Sequence, residues 1–333
     1  MKQEYRPALS LYETQSAIGA VKRIFQEQLA RRLGLLRVTA PLFVDPATGL
    51  NDDLNGVERP VAFDVPQIPE LERGAEIVQS LAKWKRQALA QYGIAPGKGL
   101  YTDMNAIRRD EVPDEVHSIY VDQWDWEKAL TPQMRSEEYL RDTVSDIVAA
   151  VCFTLAEVKK MYPQLCVSIS RHVSFVTTQQ LEDRWPELSP RQREEAYVRE
   201  HPTAFIMQIG GRLKSGRRHD GRAPDYDDWT LNGDLLFWDA PLDRALEVSS
   251  MGIRVDAQGM RSQCEAAGCA QRLELPFHRA VLQGEVPLSI GGGIGQSRLC
   301  MLLLGKAHIG EVQASLWPGQ MIKACGERGI PLL

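Results

Sequence analysis

At 333 residues the chain is long enough to bury a substantial core as one large domain or two, and its 44% hydrophobic and 25% charged residues are ordinary for a globular protein. A net charge of −5 and a pI near 5.8 argue against an extended nucleic-acid footprint. The longest apolar run, residues 147–156, is too short to cross a membrane, and the charged first twenty residues contain no secretory signal, so a cytoplasmic protein that binds neither membrane nor nucleic acid is expected. The six cysteines form no Cys-x-x-Cys pair and the six histidines no His-Glu-x-x-His motif, which points to reduced thiols rather than a zinc site.

Ile18, Val21, Phe25, Leu29 and Leu33 recur at helical spacing, so residues 13–33 read as an amphipathic helix closed by Gly34. Residues 35–43 read as a strand whose Pro41 confines it to an edge or an end. The polar loop 49–56 carries Asp52 and Asp53, either in a solvated turn or as a carboxylate held near an amine. Residues 80–89 read as a helix bearing Lys83, Lys85 and Arg86, cations that need not share one face.

Residues 100–109 and 119–126 read as strands joined without a helix, hence antiparallel, with Arg108 ending the first. On the second, Gln123 and Asp125 alternate with Trp124 and Trp126 and so share a face. Helical patterns cover 136–161 and 190–200, and residues 201–209 read as a strand. A long loop, 212–229, starts basic and ends acidic; at that length it is either functional or disordered, and its aromatic and proline content argues for order.

Residues 232–238 and 245–255 form a further hairpin in which Asp234, Glu247 and Arg254 are embedded among apolar residues. Charges so placed need a partner, a ligand or a metal. Near the end, Gly291, Gly292 and Gly293 precede a helix carrying Arg298 in its first turn. They read as a glycine turn that either cradles a nucleotide or simply tightens a strand-to-helix connection. Gly-Lys-Ser/Thr is missing, so this is no P-loop, and too little chain follows for a doubly wound Rossmann sheet. The pattern as a whole predicts an α+β fold, a mainly antiparallel sheet flanked by helices.

These residues resemble a known family. Arg108 with Asp110-Glu111 and Val121-Asp-Gln-Trp-Asp-Trp-Glu127 is similar to motif 2 of class II aminoacyl-tRNA synthetases. The stretch from Gly291 to Leu304 resembles motif 3, and the first helix, strand and Pro41 resemble motif 1, the dimer-forming element. The ammonia-dependent asparagine synthetases built on that catalytic fold are closer still. Leu81-Ala-Lys-Trp-Lys-Arg-Gln, Tyr120-Val-Asp-Gln-Trp-Asp-Trp-Glu, Arg222-Ala-Pro-Asp-Tyr-Asp-Asp-Trp, Ser249-Ser-Met-Gly-Ile-Arg-Val-Asp and Gly291-Gly-Gly-Ile-Gly-Gln-Ser-Arg-Leu all look like their signatures, in order along the whole chain.

The resemblance implies a single catalytic domain, 1–333, forming a homodimer that amidates L-aspartate with ammonia. ATP would activate the β-carboxylate as a β-aspartyl adenylate, and ammonia would then displace AMP. Carried over, Arg108 is the catalytic arginine, and Asp52 with Gln123 serves the incoming ammonia. Lys85 and Arg254 bind the α-carboxylate, with Ser80, Asp125, Ser249 and Ser250 around the amino acid. Arg108, Asp227, Glu247, Gly291, Gly292, Gly293 and Arg298 hold ATP, Arg298 by stacking on adenine, and Asp234 with Glu247 holds Mg²⁺.

Three features depart from the family pattern. Asp52-Asp53 stands where Asp-Asn is usual, and counting back from Leu54 favours Asp52. Arg109 replaces a proline, and the connection around residues 229–231 is short. An aspartyl- or asparaginyl-tRNA synthetase would need an anticodon-binding barrel ahead of residue 13. A glutamine-dependent synthetase would need a cysteine where Lys2 stands, and an inactive paralogue should have lost Arg108 or a metal carboxylate.

Overall fold

The computed structural model describes residues 5–52, 54 and 58–333; Asp53 lies outside them. Helix α1 (Leu11–Leu33) opens with a Ser10–Glu13 capping box and closes on Gly34 at φ 71°, a left-handed position suited to glycine. The chain then enters β1 (Leu35–Arg37) and β2 (Phe43–Val44), which belong to different sheets. The continuous strand expected over 35–43 is thus broken, with Pro41, which has no amide hydrogen to donate, in the gap.

Strands β3 (Ala62–Phe63) and β4 (Ala75–Ile77) complete a small sheet of order β2-β4-β3. Helix α2 (Ala82–Gln91) follows, then the hairpin of β5 (Gly99–Ile107) and β6 (Tyr120–Ala129). Next come α3 (Glu137–Met161), β7 (Ser174–Thr177), α4 (Thr178–Arg184), α5 (Pro190–Glu200) and β8 (Thr203–Met207). A second hairpin pairs β9 (Asp227–Asp239) with β10 (Arg244–Arg254); β9 begins five residues earlier than expected, because Asp227 pairs with Arg254. The rest is α6 (Ala257–Ala266), α7 (Pro276–Gln283), β11 (Ser289–Gly295), α8 (Gln296–Leu304) and α9 (Gly319–Glu327).

The large sheet has eight strands in the order β1-β5-β6-β11-β10-β9-β8-β7, antiparallel except for the edge pairs β1–β5 and β7–β8. Helices α1, α3 and α8 cover one face and form the main core with its inward side chains. Phe25 of α1 packs on Trp124 at 4.7 Å between ring centroids. Because side chains alternate along a strand, burying Trp124 and Trp126 on this face sends Gln123, Asp125 and Glu127 to the other. Among the described residues no helix is long and apolar enough to cross a membrane.

The three glycines differ from expectation. They form no turn but occupy the middle of β11, between β6 and β10, and none has positive φ. The reason is clearance. A Cβ on Gly291 would lie 1.9 Å from Glu127 Oε2, one on Gly292 2.5 Å from Met251 Cβ, and one on Gly293 2.3 Å from Gln123 Oε1. The absent side chains make room for groups on neighbouring strands.

Candidate active site

Part of the opposite face of the sheet forms the floor of a cavity of about 410 Å³. It is lined by Asp52, Ser80, Lys85, Arg108, Gln123, Asp125, Asp227, Asp234, Glu247, Ser250, Arg254, Gly292, Gly293 and Arg298, residues scattered over most of the sequence. Each occupies a strand, a helix end or a loop above this face.

At one end the charges are deeply buried. Helix α2 lays Lys85, 1% exposed, across β6 and β11, where its Nζ donates to Asp125 Oδ1 and to the Gly292 carbonyl at 2.9 Å. Burial lowers the Lys85 pKa, and the adjacent Asp125 only partly offsets this. Arg254, ending β10, donates through Nε and Nη2 to Glu127 at 3.0 and 2.7 Å and through Nη1 to Asp227. Ser289 Oγ donates to the same Glu127 at 2.7 Å. Burial opposes ionisation of Glu127, yet Arg254 holds its pKa below the usual value; burial leaves that of Asp227 raised. Asp125 Oδ2 is buried with no hydrogen-bond partner among the described residues, a feature that suits a bound ammonium group.

At the other end, a bulge between Glu247 and Ser249 shifts the register of β10 against β9. Regular alternation would put Glu247 and Ser250 on opposite faces. The bulge lets Glu247, Ser250 and Asp234 share the cavity face, with Asp234 paired opposite Ser250. Asp234 Oδ1 accepts from Arg222 Nη2 at 2.5 Å and from Ser250 Oγ at 2.7 Å. Arg298, in the first turn of α8, donates to the Glu247 carbonyl at 3.1 Å and lies 3.7 Å from its carboxylate. Burial raises the Glu247 pKa, and the nearby Asp234 carboxylate raises it further.

Two facing carboxylates supply hard oxygen ligands, but among the described residues no group of three His, Cys, Asp or Glu could hold a metal. The donor set therefore fits Mg²⁺ delivered with a polyphosphate, which takes one or two carboxylates and completes its octahedron with phosphate and water.

Arg108 follows β5 directly, its amide bonded to the Ile119 carbonyl at 2.8 Å. Among the described residues its guanidinium makes no ion pair and its buried Nε has no hydrogen-bond partner. At the rim, Asp52 is 3% exposed, its carbonyl held by Gln79 Nε2 at 2.8 Å and its Oδ1 by the Leu54 amide at 3.2 Å. Gln123 reaches the same space above Gly293.

Two expected site residues lie elsewhere. Ser249 stands opposite Leu235 and Ile294, on the core face, because the bulge turns it away from Ser250. Gly291 does not line the cavity; it lies under Glu127 and Arg254. Of the cationic helix only Lys85 enters: Lys83 pairs with Asp225 at 3.0 Å, and Arg86 donates to the Val255 and Pro287 carbonyls. Glu127 and Arg222 sit in quoted motifs, but sequence alone assigned them no role. Their signal was charge, at a cavity-face strand position for Glu127 and beside Pro224 for Arg222.

Solved structures define the class. Asparaginyl-tRNA synthetase of Entamoeba histolytica in complex with asparaginyl-adenylate matches 91% of this chain and 66% of its own, with a TM-score of 0.66 at 13% identity. The Pyrococcus horikoshii asparaginyl-tRNA synthetase complexed with asparaginyl-adenylate matches 92% of this chain and 70% of its own, with a TM-score of 0.64 at 15% identity. The chain has the α+β catalytic fold of class II aminoacyl-tRNA synthetases and spans about two thirds of the length of these structures.

The family model of aspartate-ammonia ligase matches residues 12–329. The aspartate–ammonia ligases of Lactobacillus acidophilus and Limosilactobacillus reuteri are 56% and 55% identical over 100% and 99% of this chain, and over 99% and 98% of their own. The chain belongs to the aspartate-ammonia ligase family and is an enzyme.

Clearance at Gly291 generates a prediction. Gly291→Ala places a Cβ against both Glu127 and Arg254, so it should destabilise the fold by about 1–3 kcal/mol in urea unfolding, as overpacking does. It should also raise KM for aspartate. An unchanged KM in a folded Gly291→Ala variant would separate the Glu127–Arg254 pair from substrate binding.

Proposed function

We propose that the whole chain acts as one catalytic unit that converts L-aspartate, ATP and ammonia to L-asparagine, AMP and pyrophosphate through a β-aspartyl adenylate. A carboxylate resists amidation at neutral pH because its charge repels nucleophiles and oxide is a poor leaving group. The β-carboxylate oxygen would attack the α-phosphorus and expel pyrophosphate. Ammonia would then attack the acyl carbon, and the bond to AMP would break.

The observation that carries this reading is Arg108, a cavity-lining guanidinium with no anionic partner among the described residues. Elsewhere in the cavity the arginines are engaged by carboxylates or carbonyls. A planar fork left unpaired matches an oxyanion that arrives with substrate, here the α-phosphate and the reacting carboxylate. Preorganised charge at a developing phosphorane is the largest catalytic term available to such a site.

Lys85 and Arg254 would bind the α-carboxylate, with the open oxygen of Asp125 taking the α-ammonium and Ser80 beside them. Asp52 and Gln123 would orient ammonia, Asp52 accepting its proton. Arg298 would leave Glu247 to stack on adenine. Bound Mg²⁺, held by Asp234 and Glu247, would offset charge on the nucleotide phosphates.

The subunit would work as a homodimer. Tyr12 and Leu11 of α1, Leu36 of β1, and Leu42 and Phe43 around β2 are exposed large hydrophobics, on the segment that resembles the dimer-forming motif. Light scattering at micromolar concentration should report twice the chain mass. A monomer there would remove the dimer from the proposal.

Incubation with ATP, Mg²⁺, aspartate and ammonium should release AMP and pyrophosphate with asparagine; ADP would refute adenylation. Arg108→Ala should lower kcat on the order of 10²–10³-fold, by analogy with loss of an oxyanion-hole donor, and Arg108→Lys should recover only part. A raised KM for aspartate with intact kcat would make Arg108 a uniform binder rather than a transition-state residue.

A further inference from the structure

Arg222 has a geometry that the roles above do not use. It lies on the loop between β8 and β9, and its side chain is 8% exposed. Nη2 donates to Asp234 Oδ1 at 2.5 Å, Nη1 donates to Ser250 Oγ, and Ser250 Oγ donates to the same Asp234 oxygen at 2.7 Å. Its Nε lies 3.9 Å from Asp227, is buried, and has no hydrogen-bond partner among the described residues. Arg222 therefore occupies one oxygen of the carboxylate to which the proposed function assigns Mg²⁺.

The loop around it is tied down on both sides. His219 is held by Glu194 at 2.8 Å, and Asp225 by Lys83 and His278, each at 3.0 Å. Gln263 Nε2 donates to the Pro224 carbonyl at 3.0 Å. With the backbone anchored, the guanidinium alone can change partner. A divalent cation and a guanidinium sharing one carboxylate repel each other, so the ion competes with the arginine for it. The nearest new anion is then the phosphate tail that carries the ion, and the planar fork of arginine suits phosphate oxygens.

We propose, on the reading that Asp234 holds Mg²⁺, that Arg222 exchanges partners: it neutralises Asp234 in the nucleotide-free enzyme and moves to the polyphosphate tail when Mg·ATP binds. Its two roles have opposite signs. As a place-holder it weakens metal binding to the empty enzyme; as a phosphate ligand it strengthens nucleotide binding.

The test uses the full-length enzyme, with Mn²⁺ binding without nucleotide read by electron paramagnetic resonance and Mg·α,β-methylene-ATP binding read by calorimetry. Arg222→Gln should bind Mn²⁺ on the order of tenfold more tightly and the nucleotide on the order of tenfold more weakly, the scale of one charge-assisted hydrogen bond. Arg222→Lys should show smaller shifts of the same opposite signs, and carries the test if circular dichroism finds the glutamine variant unfolded. Both affinities falling together would mark a merely structural arginine and overturn the proposal, as would either affinity staying unchanged. Asp234→Asn separates the two ideas. If it abolishes Mn²⁺ binding while Arg222→Gln leaves that binding unaltered, the exchange fails and the metal assignment stands. If Asp234→Asn retains Mn²⁺ binding, the metal assignment fails and the exchange with it.

Discussion

Arg254 lies 2% exposed between Glu127 and Asp227, with Lys85 and Asp125 beside it. Taking these charges out of water costs several kcal/mol per ion, and their mutual attraction repays it only with good geometry. Such a cluster is a poor way to stabilise a fold and a good way to hold cations still. The surrounding structure follows from that requirement. Strand β11 carries glycine at 291 because a Cβ would enter the Glu127 carboxylate, and Ser289 two residues earlier donates to the same carboxylate. Helix α2 must lie close enough for Lys85 to reach the Gly292 carbonyl.

The sheet divides its labour by parity. Trp124, packed on Phe25 of α1, and Trp126 are buried in the main core, so the residues between and beside them must face the cavity. Strand β10 cannot achieve this by parity alone, since Glu247 and Ser250 are three apart. The bulge supplies the missing half-step, carrying both to the face of Asp234 while Ser249 rotates into the core. One irregular residue thus assembles the carboxylate end of the site.

Charge pairing also separates the cavity into settled and unsettled parts. Arg254, to which the proposed function assigns the α-carboxylate, is held in place between Glu127 and Asp227. Arg222 and Arg298 rest on Asp234 and Glu247, the carboxylates that the proposed function assigns to Mg²⁺. Arg108 rests on no carboxylate among the described residues. An enzyme that must accept a polyphosphate and a dicarboxylic amino acid needs cations in excess at the moment of binding, and the proposed exchange of partners would provide them.

Much of this was legible in the residues themselves. Apolar spacing defined α1, helical patterns covered α3 and the charged α5, and strand alternation placed Gln123 and Asp125 on one face, because these patterns are local consequences of backbone geometry. The order of five motifs was enough to indicate the family and most of the cavity. What the tertiary structure decided was of another kind. Glycine at 291–293 was read as a turn because sequence shows permissive backbone, not the neighbouring Glu127, Met251 and Gln123 that need the space. Ser249 was read as facing substrate because a bulge depends on pairing with β9 and leaves no mark on the residues that form it. The partners of Lys83 and Arg86, and of Arg222 across the hairpin, lie on elements distant in sequence or on the neighbouring strand. Charge in a chain is a local fact; what neutralises it is settled only when the sheet brings the strands together.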